Sequence, residues 1–183
     1  MRLPRDFAEL LAAFDAEEVR YVLVGGYAVS LHSRPRSTKD VDFWIDGGDN
    51  LERVARALTT FGAPVGVTDA VRNLGPDEFV FMGRSPLRVD LIRRIKGLPR
   101  FDQAFARSLQ LRWGTRLVRV LSLDDLLAAK RAVGRPVDRR DVKALERARG
   151  KAHRPKPRAV APTKRSRARA AHGKTTARDR RRT

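Results

Sequence analysis

The 183 residues carry 40 Lys and Arg against 21 Asp and Glu, a net charge of +19, and no cysteine. Disulfides and thiolate metal sites are thereby excluded, as a reducing cytoplasm permits. The length fits one domain of about 100 to 150 residues and something extra.

Charge locates the extra part. Residues 150–183 hold 13 of the Lys and Arg and a single acid, Asp179, and they lack Leu, Ile, Phe, Trp and Tyr. A segment with so little to bury cannot offset the entropy of ordering it. The expected division is a domain over 1–149 and a disordered basic tail over 150–183. Such a tail is expected to meet nucleic-acid phosphates through counterion release, without sequence preference, the alternative being a merely solubilising extension. At the other end, Asp6, Glu9, Asp15, Glu17 and Glu18 interrupt the apolar residues that a signal peptide would need. No stretch approaches the roughly 20 apolar residues of a membrane span, so the expectation is a soluble cytoplasmic protein with no membrane role.

In chain order, Phe7, Leu10, Leu11 and Phe14 recur at helical spacing and predict an amphipathic helix over 5–16. Tyr21 to Val24 is short and wholly apolar, as a strand covered on both faces would be. Gly25-Gly26 makes a turn, Tyr27 to Leu31 a short helix, and Asp40 to Ile45 a second strand. Asp49 is the expected N-cap and Gly62 the C-cap of a helix over 50–61. Residues 63–77 read as loop. Residues 78–82 and 87–92 pair as a hairpin across Gly83-Arg84-Ser85-Pro86. A helix over 101–108 precedes a strand over 117–121, Ser122 caps a helix over 123–133, Gly134-Arg135-Pro136 breaks it, and 138–149 forms the last helix. This mixture is α+β: a small mixed sheet flanked by helices, with a short C-terminal helical part.

The chemistry gathers around residues 22–46. Asp40 and Asp42 stand at i and i+2 of a strand, so their carboxylates project from one face. Two such groups repel unless a cation lies between them, and hard oxygen ligands suit Mg²⁺ together with substrate phosphates. A lone Asp-x-Asp is commonly a solvated turn. A third acid, Asp90, in a predicted neighbouring strand and the glycine turn upstream favour the metal reading. A dinucleotide-binding reading, prompted by Asp46 about 20 residues after the glycines, fails because the turn lacks G-x-G-x-x-G. Phe43 and Trp44 alternate across the strand, one for the core and the other for a covering helix. His32 reads as a surface or loop-packing residue.

Gly25-Gly26, Arg36-x-Thr38-x-Asp40-x-Asp42, Arg88-Val89-Asp90-Leu91-Ile92, Asp125-x₄-Lys130 and Arg135-Pro136-x-Asp138-x₂-Asp141 follow one another in order. Together they resemble the nucleotidyltransferases of the polymerase-beta superfamily, and more closely the bacterial abortive-infection type II toxin-like branch (AbiEii/AbiGii). The likeness spans residues 5 to 148. It departs at Gly26, where the usual pair is Gly-Ser. The resemblance implies transfer of an NMP from an NTP with Mg²⁺ or Mn²⁺ held by Asp40, Asp42 and Asp90. It also implies that Lys130, contacting phosphate as a point charge, and either Asp138 or Asp141 belong to the site. A glycine turn at a helix N-terminus lets backbone N–H groups approach triphosphate oxygens. Ser30, Arg36, Thr38 and Lys39 are near enough in sequence to assist. The acceptor expected from the branch and the tail is RNA, tRNA first, with a cognate antitoxin as a protein partner. A protein hydroxyl as acceptor, or an inert nucleic-acid-binding module on the same fold, are the alternatives.

Overall fold

A computed structural model describes residues 3–84 and 86–152. Of the tail expected over 150–183, residues 150–152 are helical; its remainder, and with it the expected disorder, lies outside the described residues, as do residues 1–2 and Ser85. The elements run α1 (Arg5–Ala16), β1 (Tyr21–Val24), α2 (Gly25–His32), β2 (Asp40–Ile45), α3 (Asn50–Phe61), α4 (Val65–Arg72), β3 (Phe79–Met82), β4 (Arg88–Ile92), α5 (Phe101–Arg107), β5 (Leu109–Trp113), β6 (Arg116–Val120), α6 (Leu123–Val133) and α7 (Pro136–Ala152). Among the described residues no helix is long and apolar enough to cross a membrane.

The six strands form one mixed sheet in the order β3-β4-β2-β1-β6-β5. β1 runs antiparallel to β2 and parallel to β6, and β2 runs parallel to β4. All four residues of β1 are buried, as a uniformly apolar central strand requires. The α+β class and the mixed sheet flanked by helices are therefore as the sequence predicts.

Strand alternation divides β2 between two environments. Phe43 packs edge-on against Phe14 of α1 and against Tyr21, with ring centroids 5.4 and 5.3 Å away. Burying a ring of this size contributes about 2–3 kcal/mol. On the opposite face, shared with Asp40 and Asp42, Trp44 meets Phe101 of α5 at 5.4 Å and donates from Nε1 to the Arg93 carbonyl. Both aromatics are thus core, each under its own helix, and the acids emerge on the Trp44 face beyond its cover.

Three local features differ from the sequence reading. Asp49 occupies the position before α3 but caps nothing, because its backbone is already helical (φ −57°, ψ −19°). Buried Asn50 does the tying instead: its Oδ1 accepts from the Arg20 N–H at 2.7 Å, and its Nδ2 donates to the Arg20 and Asp46 carbonyls. Residues 65–72, read as loop, form α4 behind Pro64, with only Thr68 and Val71 buried. Residues 109–113 form β5, an edge strand paired with β6 through a two-residue turn at Gly114-Thr115. Gly62 and Ser122 cap as expected: Gly62 sits at φ +88°, and the Ser122 hydroxyl accepts from the Asp125 N–H.

Candidate active site

Register brings the acids together. Asp42 lies opposite Asp90 in the parallel β2–β4 pair. Carboxylate oxygens of Asp40, Asp42 and Asp90 fall within 4.8 Å of one another. Burial, and next the charges of Asp40 and Asp90, push the Asp42 carboxyl up to about 6, against the opposing pull of Lys130 and the Gly26 N–H. Three carboxylates this close resist full ionisation without a cation, and an all-oxygen set of this kind fits a hard divalent ion.

Asp90 is aimed by Arg88, two residues earlier on the same strand face. Arg88 Nε donates to Oδ1 at 2.6 Å and Nη2 to Oδ2 at 3.1 Å, while its guanidinium lies 4.5 Å from the Phe81 ring centroid. A bidentate pair fixes the carboxylate plane.

The glycines make room for the acids and their neighbours. Gly25 stands at φ +63°, and a Cβ there would lie 1.8 Å from Asp42 Oδ2. A Cβ on Gly26 would fall 2.5 Å from Thr38 Oγ1 and 2.7 Å from Arg36 Nη2. The space that a serine would need is occupied by these two side chains, which accounts physically for Gly-Gly in this chain. Gly26→Ser is accordingly expected to displace Thr38 or Arg36 and to cost about 1–3 kcal/mol, read as a lower urea midpoint.

Arg36 leads to the second half of the site. Its Nη2 donates to Asp141 Oδ2 at 3.2 Å, and its Nε lies 3.0 Å from Oδ1 as an ion pair without a directed hydrogen bond. Lys130 of α6 sits between two acids of α7, its Nζ 3.0 Å from Asp138 Oδ1 and 3.0 Å from Asp141 Oδ2. All three are buried, at 8%, 0% and 3% exposure. Arg135 closes the chain by donating from Nε at 2.8 Å and from its backbone N–H to Asp138 Oδ2. Burial alone would raise the Asp138 carboxyl, but hydrogen bonds from Arg135 and Lys130 outweigh it and hold the group below its ordinary range. Asp138 and Asp141 both grip Lys130.

One cleft of about 660 Å³ collects most of these groups. Gly25, Gly26, Asp40, Asp42, Asp90 and Lys130 line it, with Arg36, Thr38, Lys39 and Asp138 on its wall. Ser30 is not among the lining residues; it is buried, donates to the Gly26 carbonyl at 3.1 Å and accepts from the Arg36 N–H at 3.3 Å, so it ties the loop to α2. Asp141 lines a smaller neighbouring pocket with Arg36. His32 is half-buried, its Nε2 2.7 Å from the Leu121 carbonyl, and burial pushes its pKa down, as a loop-packing histidine would show.

Sequence reasoning passed over Arg88, Arg135, Arg94 and Lys96, all of which line the cleft. The signal for the first two lay in the quoted motifs. Arg88 is at i−2 from Asp90 in a strand and therefore on the same face, and Arg135 is three residues before Asp138 at a helix start.

A family model described as "Nucleotidyltransferase of unknown function (DUF6036)" matches residues 2–148. No curated protein matches the chain. Among solved structures, ANT(2″)-Ia in complex with adenylyl-2″-tobramycin is similar at TM-score 0.54 and 15% identity, over 80% of this chain and 87% of that one. An antigenic nucleotidyltransferase-like protein from Paracoccidioides brasiliensis is similar at TM-score 0.46 and 18% identity, over 76% and 74% of the two chains. The lincosamide antibiotic adenylyltransferase LnuA, lincomycin-bound, is similar at 0.44 and 14% identity, over 79% and 97%.

Proposed function

Because the chain belongs to the nucleotidyltransferases of unknown function, as its match over residues 2–148 establishes, we propose that it transfers an NMP from an NTP to a hydroxyl of RNA, tRNA first, with Mg²⁺ or Mn²⁺. The observation that carries the reading is the set of three carboxylates within 4.8 Å in a cleft whose walls also present Arg36, Lys39, Arg94 and Lys96. In such a transfer the acceptor oxygen bonds to the α-phosphorus, the α–β phosphoanhydride bond breaks, and pyrophosphate leaves.

Asp40, Asp42 and Asp90 hold the divalent ion. Bound there, that ion neutralises phosphate charge and makes an attacking hydroxyl more acidic. Asp90 completes the set and accepts the hydroxyl proton. Each of its oxygens already receives one hydrogen bond from Arg88, and each keeps a further lone pair for this work. Gly25 and Gly26 open α2, so that its N-terminal backbone donors other than the Gly26 N–H, which Asp42 already accepts, face the triphosphate. Lys130 serves by holding Asp138 and Asp141, and through Asp141 it fixes Arg36 at the cleft wall.

RNA as acceptor is supported by the basic cleft wall, by the 13 Lys and Arg of residues 150–183 and by the sequence likeness to the abortive-infection branch. The test incubates the protein with each of the four α-labelled NTPs and Mg²⁺ or Mn²⁺ against separate pools of total RNA and total protein. Label in RNA, tRNA above all, is the expected result. Label confined to protein would replace the acceptor, and no label in either pool would overturn the reading.

A further inference from the structure

The edge strand β3 breaks the usual pattern. Val80 and Met82 turn inward, yet Phe79 and Phe81 on the other face are 58% and 54% exposed. An exposed edge ordinarily carries charge or proline rather than a pair of phenylalanines, because bare apolar edges invite association.

Register says what these rings stand beside. Phe81 lies opposite Asp90 and Phe79 opposite Ile92 in the antiparallel β3–β4 pair. Residues directly opposite share a face, so Phe81, Asp90 and Asp42 form one row across three adjacent strands. Arg88, which orients Asp90, lies over the Phe81 ring. Arg84 in the hairpin turn is exposed, and Arg94 and Lys96 follow β4 at the cleft. Arg94 also pairs with Asp77. Aromatic rings interleaved with Arg and Lys are what an unpaired polynucleotide needs, the rings for its bases and the cations for its phosphates.

We propose that Phe79 and Phe81 form a stacking platform for unpaired bases beside the acceptor hydroxyl of a single-stranded RNA end. The proposal rests on the nucleotidyl-transfer-to-RNA reading and names how that acceptor is held. Strands lie about 5 Å apart, so a hydroxyl at the acids puts Phe81 within roughly one to three nucleotides of it, at about 3.4 Å per stacked base.

The test compares the full chain with Phe79→Leu/Phe81→Leu and with Phe81→Trp, each checked for an unchanged melting temperature. Anisotropy is read on a single-stranded RNA of about 12 nucleotides and on an abasic strand of equal length. The basic tail meets the phosphates of both strands alike and cancels in the ratio. The wild type should bind the base-bearing strand about 10-fold more tightly. The Leu pair should bring that ratio to about 1 and raise the KM for RNA, leaving the KM for NTP unchanged, and Phe81→Trp should preserve both. A ratio near 1 in the wild type, or one unaltered in the Leu pair, overturns the platform, as does a Leu pair that converts a dimer into a monomer while the ratio stands. Transfer to RNA with an unaltered ratio defeats the platform alone. The expected ratios without any transfer to RNA defeat the acceptor reading and leave the platform as an RNA surface.

Discussion

Asp42→Asn should lower nucleotidyl transfer on the order of 10³-fold, while making the metal-free protein more stable above about pH 7. The two effects share one cause. Burial, then Asp40 and Asp90, raise the Asp42 carboxyl to about 6, against roughly 3.9 in an unfolded chain. Between those values the folded state keeps a proton that the unfolded state releases. The group's contribution to stability therefore falls as pH rises through about 4 to 6 and stays low above it, by up to about 3 kcal/mol. Asn removes the charge, keeps the shape and still accepts from the Gly26 N–H. A gain of that size would raise Tm by several degrees, at about 2–4 °C per kcal/mol. With Mg²⁺ the sign reverses: ionised Asp42 becomes a ligand, so the wild type should gain stability from Mg²⁺ increasingly above about pH 6, and the variant should not. Thermal melts of both proteins across that range, with and without Mg²⁺, give a readout independent of turnover. A variant that is no more stable without metal and equally stabilised by it would contradict the assignment.

Lys130→Met should destabilise the fold by about 3–5 kcal/mol, toward the lower value because Arg36 and Arg135 still face the acids left behind. The ammonium is the shared partner of two almost fully buried carboxylates. Removing it strands negative charge between α6 and α7, and α7 is the element that fixes Arg36. Adding Asp138→Asn to Lys130→Met should recover part of the loss, since one stranded charge goes with it. Urea melts of the two variants check this. Equal stability of Lys130→Met and wild type would show that the network does not hold the helices. Asp138 adds an acid limit, because its carboxyl is held below the ordinary range. The stability it contributes is full at neutral pH and is lost as pH falls through its lowered pKa.

Much of the frame was legible because apolar residues keep strict periods where an element is covered. β1 is four apolar residues, α3 carries its buried face at helical spacing, and both lie where the pattern puts them. α4 and β5 escaped for the converse reason. α4 buries only Thr68 and Val71, and β5 buries only Trp113, so neither leaves a full stripe in the sequence. The Leu-Gln-Leu-Arg-Trp alternation before Gly114 was the available sign of β5. At the site, the three acids follow from strand parity and motif order. Their guanidinium partners do not stand out in a chain with 40 Lys and Arg, where a basic residue is the ordinary occupant of a surface position. Nor could spacing separate Asp138 from Asp141. They are three residues apart on one helix, and Lys130 reaches both. The Gly26 departure became intelligible only with Thr38 and Arg36 in place around it.

The central claim is that the three carboxylates serve transfer of a nucleotidyl group. It is tested most directly by offering the same NTP labelled at the α- or at the γ-phosphate, with Mg²⁺ and total RNA, to the wild type and to Asp40→Ala/Asp42→Ala. Label should reach RNA from the α position alone, with pyrophosphate released in equal amount, and the double variant should transfer none. Label arriving from the γ position, or equal transfer by the double variant, would contradict it.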